Sequence, residues 1–266
     1  MQALQDKVVL ITGGSSGIGR AAALRLASAG ARIAVAARNV AALESVAAAI
    51  KSGGGQALVV PTDVGDAWQC ERAVANTVTH FGQLDILVCS AGLSMRSFFD
   101  GSDLAALERV VRVNFLGTMY ATHYALPHVK RSRGSLVALS SLTGLRGVPS
   151  YSIYGASKCA IKGFYDSLRL ELIRDGVHVG ILAPGFVDTP LRQHVLGPDG
   201  NPWVNPPEPP FRIWPVETCV DRLMDMLIRR RAQVNLPGFV GFLLWIDQIV
   251  GCRLGDWIVR WKFPPV

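Results

Sequence analysis

Tyr154 and Lys158 stand four residues apart in a stretch, Tyr154 to Arg174, that reads as a helix, so both side chains leave one face and can reach the same bound molecule. A phenol with a pKa of about 10 is a poor base at neutral pH, and a neighbouring ammonium favours the phenolate. The pair is therefore a candidate acid/base. Tyr and Lys at this spacing also occur as accidental surface pairs, and Tyr151 and Tyr165 compete for the role, but neither is followed by a lysine four residues on.

Far upstream, the turn Thr12-Gly13-Gly14-Ser15-Ser16-Gly17-Ile18-Gly19 joins an apolar run, Lys7 to Thr12, to an Ala- and Leu-rich stretch, Ile18 to Ala29. Backbone amides at the start of such a helix carry partial positive charge and can receive a pyrophosphate, and glycines allow it to come close. A Gly-rich turn alone can be an ordinary tight turn; the strand before it and the helix after it supply the context of a dinucleotide site. At the end of the second strand an acidic residue would hold a free ribose 2′-hydroxyl and repel a 2′-phosphate. Ala37-Arg38 stands there instead. Arg38 can fork onto a 2′-phosphate, which favours NADP(H), the alternative being a solvated surface arginine.

These residues need a scaffold, and the chain alternates in the way that builds one. Strands are expected at Lys7 to Thr12, Arg32 to Ala37, Ala57 to Val60, Asp85 to Cys89, Ser135 to Ser140, His178 to Leu182 and Gln233 to Leu236. Between them lie expected helices at Ile18 to Ala29, Ala41 to Lys51, Ala67 to Phe81, Leu104 to Asn114, Gly117 to Lys130, Tyr154 to Arg174 and Pro215 to Arg231. Helical crossovers imply parallel pairing, and apolar strands without alternation imply that both faces are covered. The fold class is α/β: a Rossmann-type doubly wound parallel sheet in three α/β/α layers, forming a single domain over residues 1–266. Ligands belong beyond the carboxyl ends of its strands. Seven prolines from Pro198 to Pro215, with Trp203, Phe211 and Trp214, suggest a stiff substrate-binding lid at about residues 186–215. Residues 238–266 form an apolar tail whose run from Leu236 to Ile246 is too short to span a bilayer. The tail is expected to pack over the cleft or a partner subunit, with peripheral membrane contact through Arg253, Arg260 and Lys262 as the alternative.

With T-G-x-x-x-G-x-G near the start and Y-x-x-x-K downstream, the chain resembles the short-chain dehydrogenase/reductase family from about Lys7 to Thr189. Asp63-Val64 resembles its adenine-contacting pair, Ala91-Gly92 its fourth-strand turn, and Pro184-Gly185 with Val187 and Thr189 its nicotinamide segment. The resemblance implies cofactor contacts from Gly13, Ser15, Ser16, Gly17, Ile18, Gly19, Arg38, Asp63, Val64, Ala91, Gly92, Tyr154, Lys158, Pro184, Gly185, Val187 and Thr189. It implies a catalytic set of Asn114, Ser141, Tyr154 and Lys158. Ser141 would orient the substrate carbonyl, Lys158 would also bond the nicotinamide ribose, and Asn114 would hold a water, although a helix cap or a kink is an alternative role for that asparagine. One departure stands out: Cys89-Ser90 replaces the family's usual Asn-Asn, a change that bears on the sheet more than on the chemistry.

Composition narrows the partners. A formal charge of +7 with scattered basic residues suits a phosphorylated cofactor better than nucleic acid, for which no partner role is expected. Cys70, Cys89, Cys159, Cys219 and Cys252 show no pairing motif, and no secretory leader is apparent, so a reducing, cytoplasmic location is expected. His80, His123, His128, His178 and His194 have no metal-ligand spacing, so no metal is expected. The reading is hydride transfer between NADP(H) and a small-molecule carbonyl or secondary alcohol, bulky and apolar, in a homodimer or homotetramer built on the helices at Gly117 to Lys130 and Tyr154 to Arg174. The competing reading is a non-catalytic NADP(H)-binding or scaffold protein with the same fold.

Overall fold

The computed structural model describes residues 4–204, 208–249 and 252–262. The strands are β1 Val8–Thr12, β2 Arg32–Ala37, β3 Ala57–Pro61, β4 Ile86–Cys89, β5 Ser135–Leu139, β6 His178–Pro184 and β7 Gln233–Leu236. They form one parallel sheet in the order β3-β2-β1-β4-β5-β6-β7. Every residue of β1, β4, β5 and β6 is buried, which is why those runs are apolar without alternation.

Helices fill the two outer layers. On one face α1 Gly17–Ser28, α2 Val40–Ser52 and α8 Val216–Arg229 share a core with Val9, Ile11, Ile33 and Val35. On the other, α3 Ala67–Phe81, α5 Gly117–Ser132 and α6 Ser152–Glu171 pack on Leu10, Leu87, Leu136 and Ile181. The strand order reverses between β1 and β4, and the crevice beyond their carboxyl ends is where such a sheet takes its ligand.

Three expected elements have different shapes. The helix expected to end at Asn114 is α4 Leu104–Val111, and it runs into α5 through a π-helical turn, Arg112–Leu116. The helix expected from Tyr154 to Arg174 begins at Ser152 and ends at Glu171, followed by a 3₁₀ turn, Ile173–Asp175. The tail is two helices, α9 Val240–Ile249 and α10 Arg253–Lys262; a short α7, Pro190–Gln193, precedes them in the lid. No helix among the described residues is long and apolar enough to cross a membrane.

The described residues of the proline-rich segment 186–215 are largely irregular but tied down. At one end Trp214 N donates to Phe186 O (2.8 Å) and Asp188 N to Trp214 O (2.9 Å). In the middle Leu196 N donates to Ser94 O (2.8 Å) and Arg96 N to Leu196 O (2.9 Å), above a small core of Met95, Ala106, Leu107, Val110 and Leu196.

Candidate active site

The carboxyl edge of the sheet opens into a cleft of about 1700 Å³. A small-molecule pocket is commonly about 300–1,000 Å³, so this one has room for a dinucleotide and a second molecule. Of the expected cofactor residues, Gly13, Ser15, Ser16, Gly17, Ile18, Arg38, Asp63, Val64, Ala91, Gly92, Tyr154, Lys158, Pro184, Gly185, Val187 and Thr189 line it. Gly19 does not. A Cβ there would collide with the carbonyl of Gly13, so Gly19 lets α1 settle on the turn and leaves ligand contact to its neighbours.

The turn is shaped for close approach. Gly13 has φ +69°, and a Cβ would come 2.6 Å from Ala91 N, so no other residue lets β1 and β4 close here. Helices α2, α3 and α4 are capped by the side chains of Asn39, Asp66 and Asp103. Ser16 at the start of α1 makes no such bond, although its backbone is extended as a cap requires. The first amides of α1 are thereby left for an anion in the cleft, and the glycine cradle fits a dinucleotide pyrophosphate. Arg38 is exposed at the rim with no carboxylate within ion-pair distance among the described residues. Asp63 takes Gly65 N on its carboxylate (2.9 Å) while its own N–H donates to Gln69 Oε1 (2.8 Å), which fixes the Asp63-Val64 turn.

Lys158 is buried in α6, and its Nζ donates to Leu139 O at 2.9 Å. Its helix is pinned to β5 by Ser140 Oγ donating to Lys158 O (2.8 Å), a structural task that separates Ser140 from Ser141. Ser141 is buried at the cleft wall and caps the 3₁₀ turn Leu142–Gly144, its Oγ accepting from Thr143 N (3.2 Å) and Thr143 Oγ1 (3.0 Å). The Lys158 ammonium lies 5.9 Å from the Tyr154 ring centre.

Burial, more than Lys158, governs the phenol. Tyr154 is pushed up to about 12 by enclosure of its hydroxyl, with the bond to Ser141 acting the other way. Desolvation likewise brings Lys158 down to about 8. With its phenol raised by burial, Tyr154 keeps its proton at neutral pH.

Asn114 is fully buried in the π-helical turn and does not line the cleft. Its Oδ1 accepts from Leu93 N (2.7 Å), and its Nδ2 donates to Leu93 O (3.0 Å) and Ser157 Oγ (3.0 Å). Both ends of the amide are thus engaged, and the side chain clamps the loop after β4 to α6 and caps no helix. The π turn, an irregularity often found at functional sites, is the kink that an asparagine in mid-helix signalled. Cys89 is buried against Thr118 O, Thr122 and Tyr165, and burial pushes its thiol up to about 11, so it is an inert packing residue.

Sequence reasoning missed several lining residues. Asn39, Thr62 and Ser90 adjoin residues already singled out, and Asn39 carried a helix-cap signal. Arg96, Arg146 and Tyr151 also line the cleft, brought there by the loops after β4 and β5. No metal-binding group of His, Cys, Asp and Glu occurs among the described residues.

The buried ammonium has a cost that can be measured. With a folded-state pKa of about 8 against an ordinary 10.5, the unfolded chain binds the extra proton between those values, so stability rises with pH across that window. Below pH 8 the folded chain carries the whole cost, on the order of 3 kcal/mol, at 1.36 kcal/mol per pKa unit. Replacing Lys158 by Met removes that cost but orphans the Leu139 carbonyl, which returns about 1 kcal/mol. The expected result is a variant more stable by on the order of 2 kcal/mol at pH 7 in urea denaturation, with the gain shrinking above pH 8. A Lys158→Met chain less stable than wild type at pH 7 would contradict this account.

The short chain dehydrogenase family matches the chain over residues 7–198. The chain is 36% identical over 248 residues to 11-beta-hydroxysteroid dehydrogenase-like 4A of Arabidopsis thaliana, covering 92% of this chain and 81% of that protein. It is also 36% identical over 265 residues to 11-beta-hydroxysteroid dehydrogenase 1A of the same plant, covering 94% and 76%. Among solved structures it is similar to a dehydrogenase/reductase from Sinorhizobium meliloti 1021, with 35% identity, a TM-score of 0.68 and coverage of 70% of this chain and 75% of that one. The sheet order, the glycine turn and the Tyr154 and Lys158 helix agree with these matches, and the chain belongs to the short-chain dehydrogenase/reductase family of nicotinamide-dependent oxidoreductases.

Proposed function

We propose that the protein is an NADP(H)-dependent oxidoreductase acting on a bulky, apolar carbonyl or secondary alcohol, with Tyr154 as its proton donor and acceptor. The observation that carries this reading is the placing of Tyr154, Ser141 and Lys158 together in the wall of a cleft that the glycine turn also lines, with burial raising the phenol so that it keeps its proton. When bound, the nicotinamide supplies the hydride for reduction or accepts it in oxidation. In reduction Ser141 orients the carbonyl oxygen, and Tyr154 gives that oxygen its proton as the carbon becomes an alcohol. Lys158 would hold the ribose hydroxyls, and its charge would steady the tyrosinate until solvent reprotonates it. Asn114 keeps the loop that carries Ala91 and Gly92 against α6.

An apolar substrate is supported by the lining of Leu142, Val148, Phe186, Phe211, Trp214 and Leu243, and by relatives that are named for hydroxysteroids. The five cysteines are free thiols, which supports a reducing, cytoplasmic setting.

Tyr154→Phe is expected to lose at least about a hundredfold in kcat on a steroidal ketone, the usual scale of a general acid, while NADPH affinity stays within about twofold. A variant with near wild-type kcat removes the assignment. Tight NADPH binding by wild type without turnover across a broad panel of ketones and alcohols would favour the non-catalytic alternative.

Cofactor choice is tested by titrating both dinucleotides. NADPH should bind at least about tenfold tighter than NADH, and Arg38→Ala should erase most of that ratio by removing the charge-assisted fork to the 2′-phosphate. Equal affinities in wild type would remove the argument from Ala37 and Arg38.

Association through α5 and α6 is the proposed assembly, as a homodimer or homotetramer. Its support is the exposure of Leu170 (60%) on α6 and of Ile173 (68%) just beyond it, large apolar groups that a partner copy would cover. Light scattering at micromolar concentration should give a dimer or tetramer mass; a monomer alone would refute the assembly.

A further inference from the structure

We infer that Arg146 is a latch that fastens α9 and α10 of the same chain over the cleft, making those helices the wall that selects substrates by size. Arg146 stands five residues after Ser141, at the end of the same turn, where its N–H donates to Leu142 O at 3.2 Å. Its guanidinium meets the tail at three points. Nη1 lies 2.9 Å from Asp247 Oδ2 on α9, Nη2 lies 2.5 Å from Asp256 Oδ1 on α10, and Nη2 also donates to Cys252 O in the turn between them at 3.0 Å. One planar fork therefore joins both helices and their connection, which a lysine cannot do.

Burial makes this grip strong. The Arg146 and Asp247 side chains are 17% and 6% exposed, so their charges are little screened, and loss of Arg146 would leave the Asp247 carboxylate unpaired and largely out of water. Asp247 is held in place from within the tail: its Oδ1 accepts from Gly255 N at 2.6 Å, and its carbonyl accepts from Cys252 N at 2.8 Å. Gly255 is required for that approach, because a Cβ there would overlap the Asp247 carboxylate. The contact between Nη1 and Oδ2 is a charge pairing rather than an aligned hydrogen bond.

Phe239, Phe242, Leu243, Trp257 and Trp261 are each more than half exposed, and Trp257 and Trp261 stack on each other. The same helices present Val240, Leu243, Ile246 and Ile258 to the cleft. The helices that supply this apolar wall are thus joined, through Arg146, to the turn that carries Ser141. In its kinetic half this inference rests on the proposed carbonyl chemistry; in its structural half it does not.

The test compares full-length wild type, Arg146→Met, Arg146→Lys and Asp247→Asn by hydrogen exchange and by kinetics. Exchange of backbone amides in residues 240–262 should speed up at least about tenfold in Arg146→Met and Asp247→Asn and less in Arg146→Lys, with the β1 to β6 amides unchanged as the control for folding. KM for a steroidal ketone should rise at least about tenfold in the same order while kcat falls less than about threefold, and NADPH affinity should hold. Unchanged tail protection in Arg146→Met overturns the latch. Loosened tail helices with an unchanged KM overturn their role as the wall. If wild type turns over no carbonyl, the proposed chemistry fails, and the exchange result still decides the latch.

Discussion

The site depends on an ammonium held inside the protein. Lys158 is 5% exposed in α6, with one carbonyl, that of Leu139, to take its proton donors. A lone buried cation is unfavourable, and its lowered pKa shows that the fold has not fully compensated it. The surroundings explain why it stays. Ser140 bonds the Lys158 carbonyl, and Gly144 packs so close that a Cβ would lie 2.7 Å from the Lys158 carbonyl carbon. Asn114 fixes Ser157 beside it, and Gly92 leaves Nζ only about as much room as a Cβ would take, at 3.4 Å. Three loops thus converge on one residue of one helix. Local packing holds a group that would otherwise turn toward water, and the unfavourable charge remains available to an anionic or hydroxyl-bearing ligand.

Glycine plays the complementary part at the other end of the cleft. The β1 to α1 turn must pass within contact of the Ala91 backbone so that cofactor residues from two strands face one crevice, and the positive φ of Gly13 is the means. The uncapped start of α1 then supplies attraction that no side chain has to provide. Lys158 and this turn belong to separate elements, brought together by the parallel register of β1 with β4 and of β4 with β5 and by the Ala91-Gly92 loop between them. Catalytic spacing is therefore a property of the sheet.

That origin explains which features were legible in the sequence. Strands buried on both faces must be apolar, and helical crossovers carry their own periodicity, so β2, α3 and β7 fall on their expected residues. Residues fixed by backbone demands, such as Gly13 and Gly17, could be read because no other residue type serves there. Asn114 was legible as unusual, but its partners were not, because Leu93 and Ser157 are 21 and 43 residues away. The tail was the least legible part. Its apolar composition suits a buried contact, a partner surface or a lipid interface equally, and two short helices with many exposed aromatics emerge only when Asp247 and Asp256 find Arg146, about 100 residues earlier in the chain.

The two ends of the cleft consequently differ in how they can change. At the cofactor end every contact is tied to sheet register and glycine geometry, so a substitution that shifts one strand shifts all of them. At the other end the walls include a proline-rich segment between β6 and β7, tied by a few backbone bonds, and two helices after β7 that Arg146 joins to the turn after β5. Neither wall lies between β1, β4 and β5, so neither sets the spacing of the glycine turn from Lys158. Arg146 is the exception that joins the two ends, since the turn bearing it begins at Ser141. A displacement of the tail therefore acts on the turn that carries Ser141, so the outer wall of the cleft and its inner wall are physically coupled through one guanidinium.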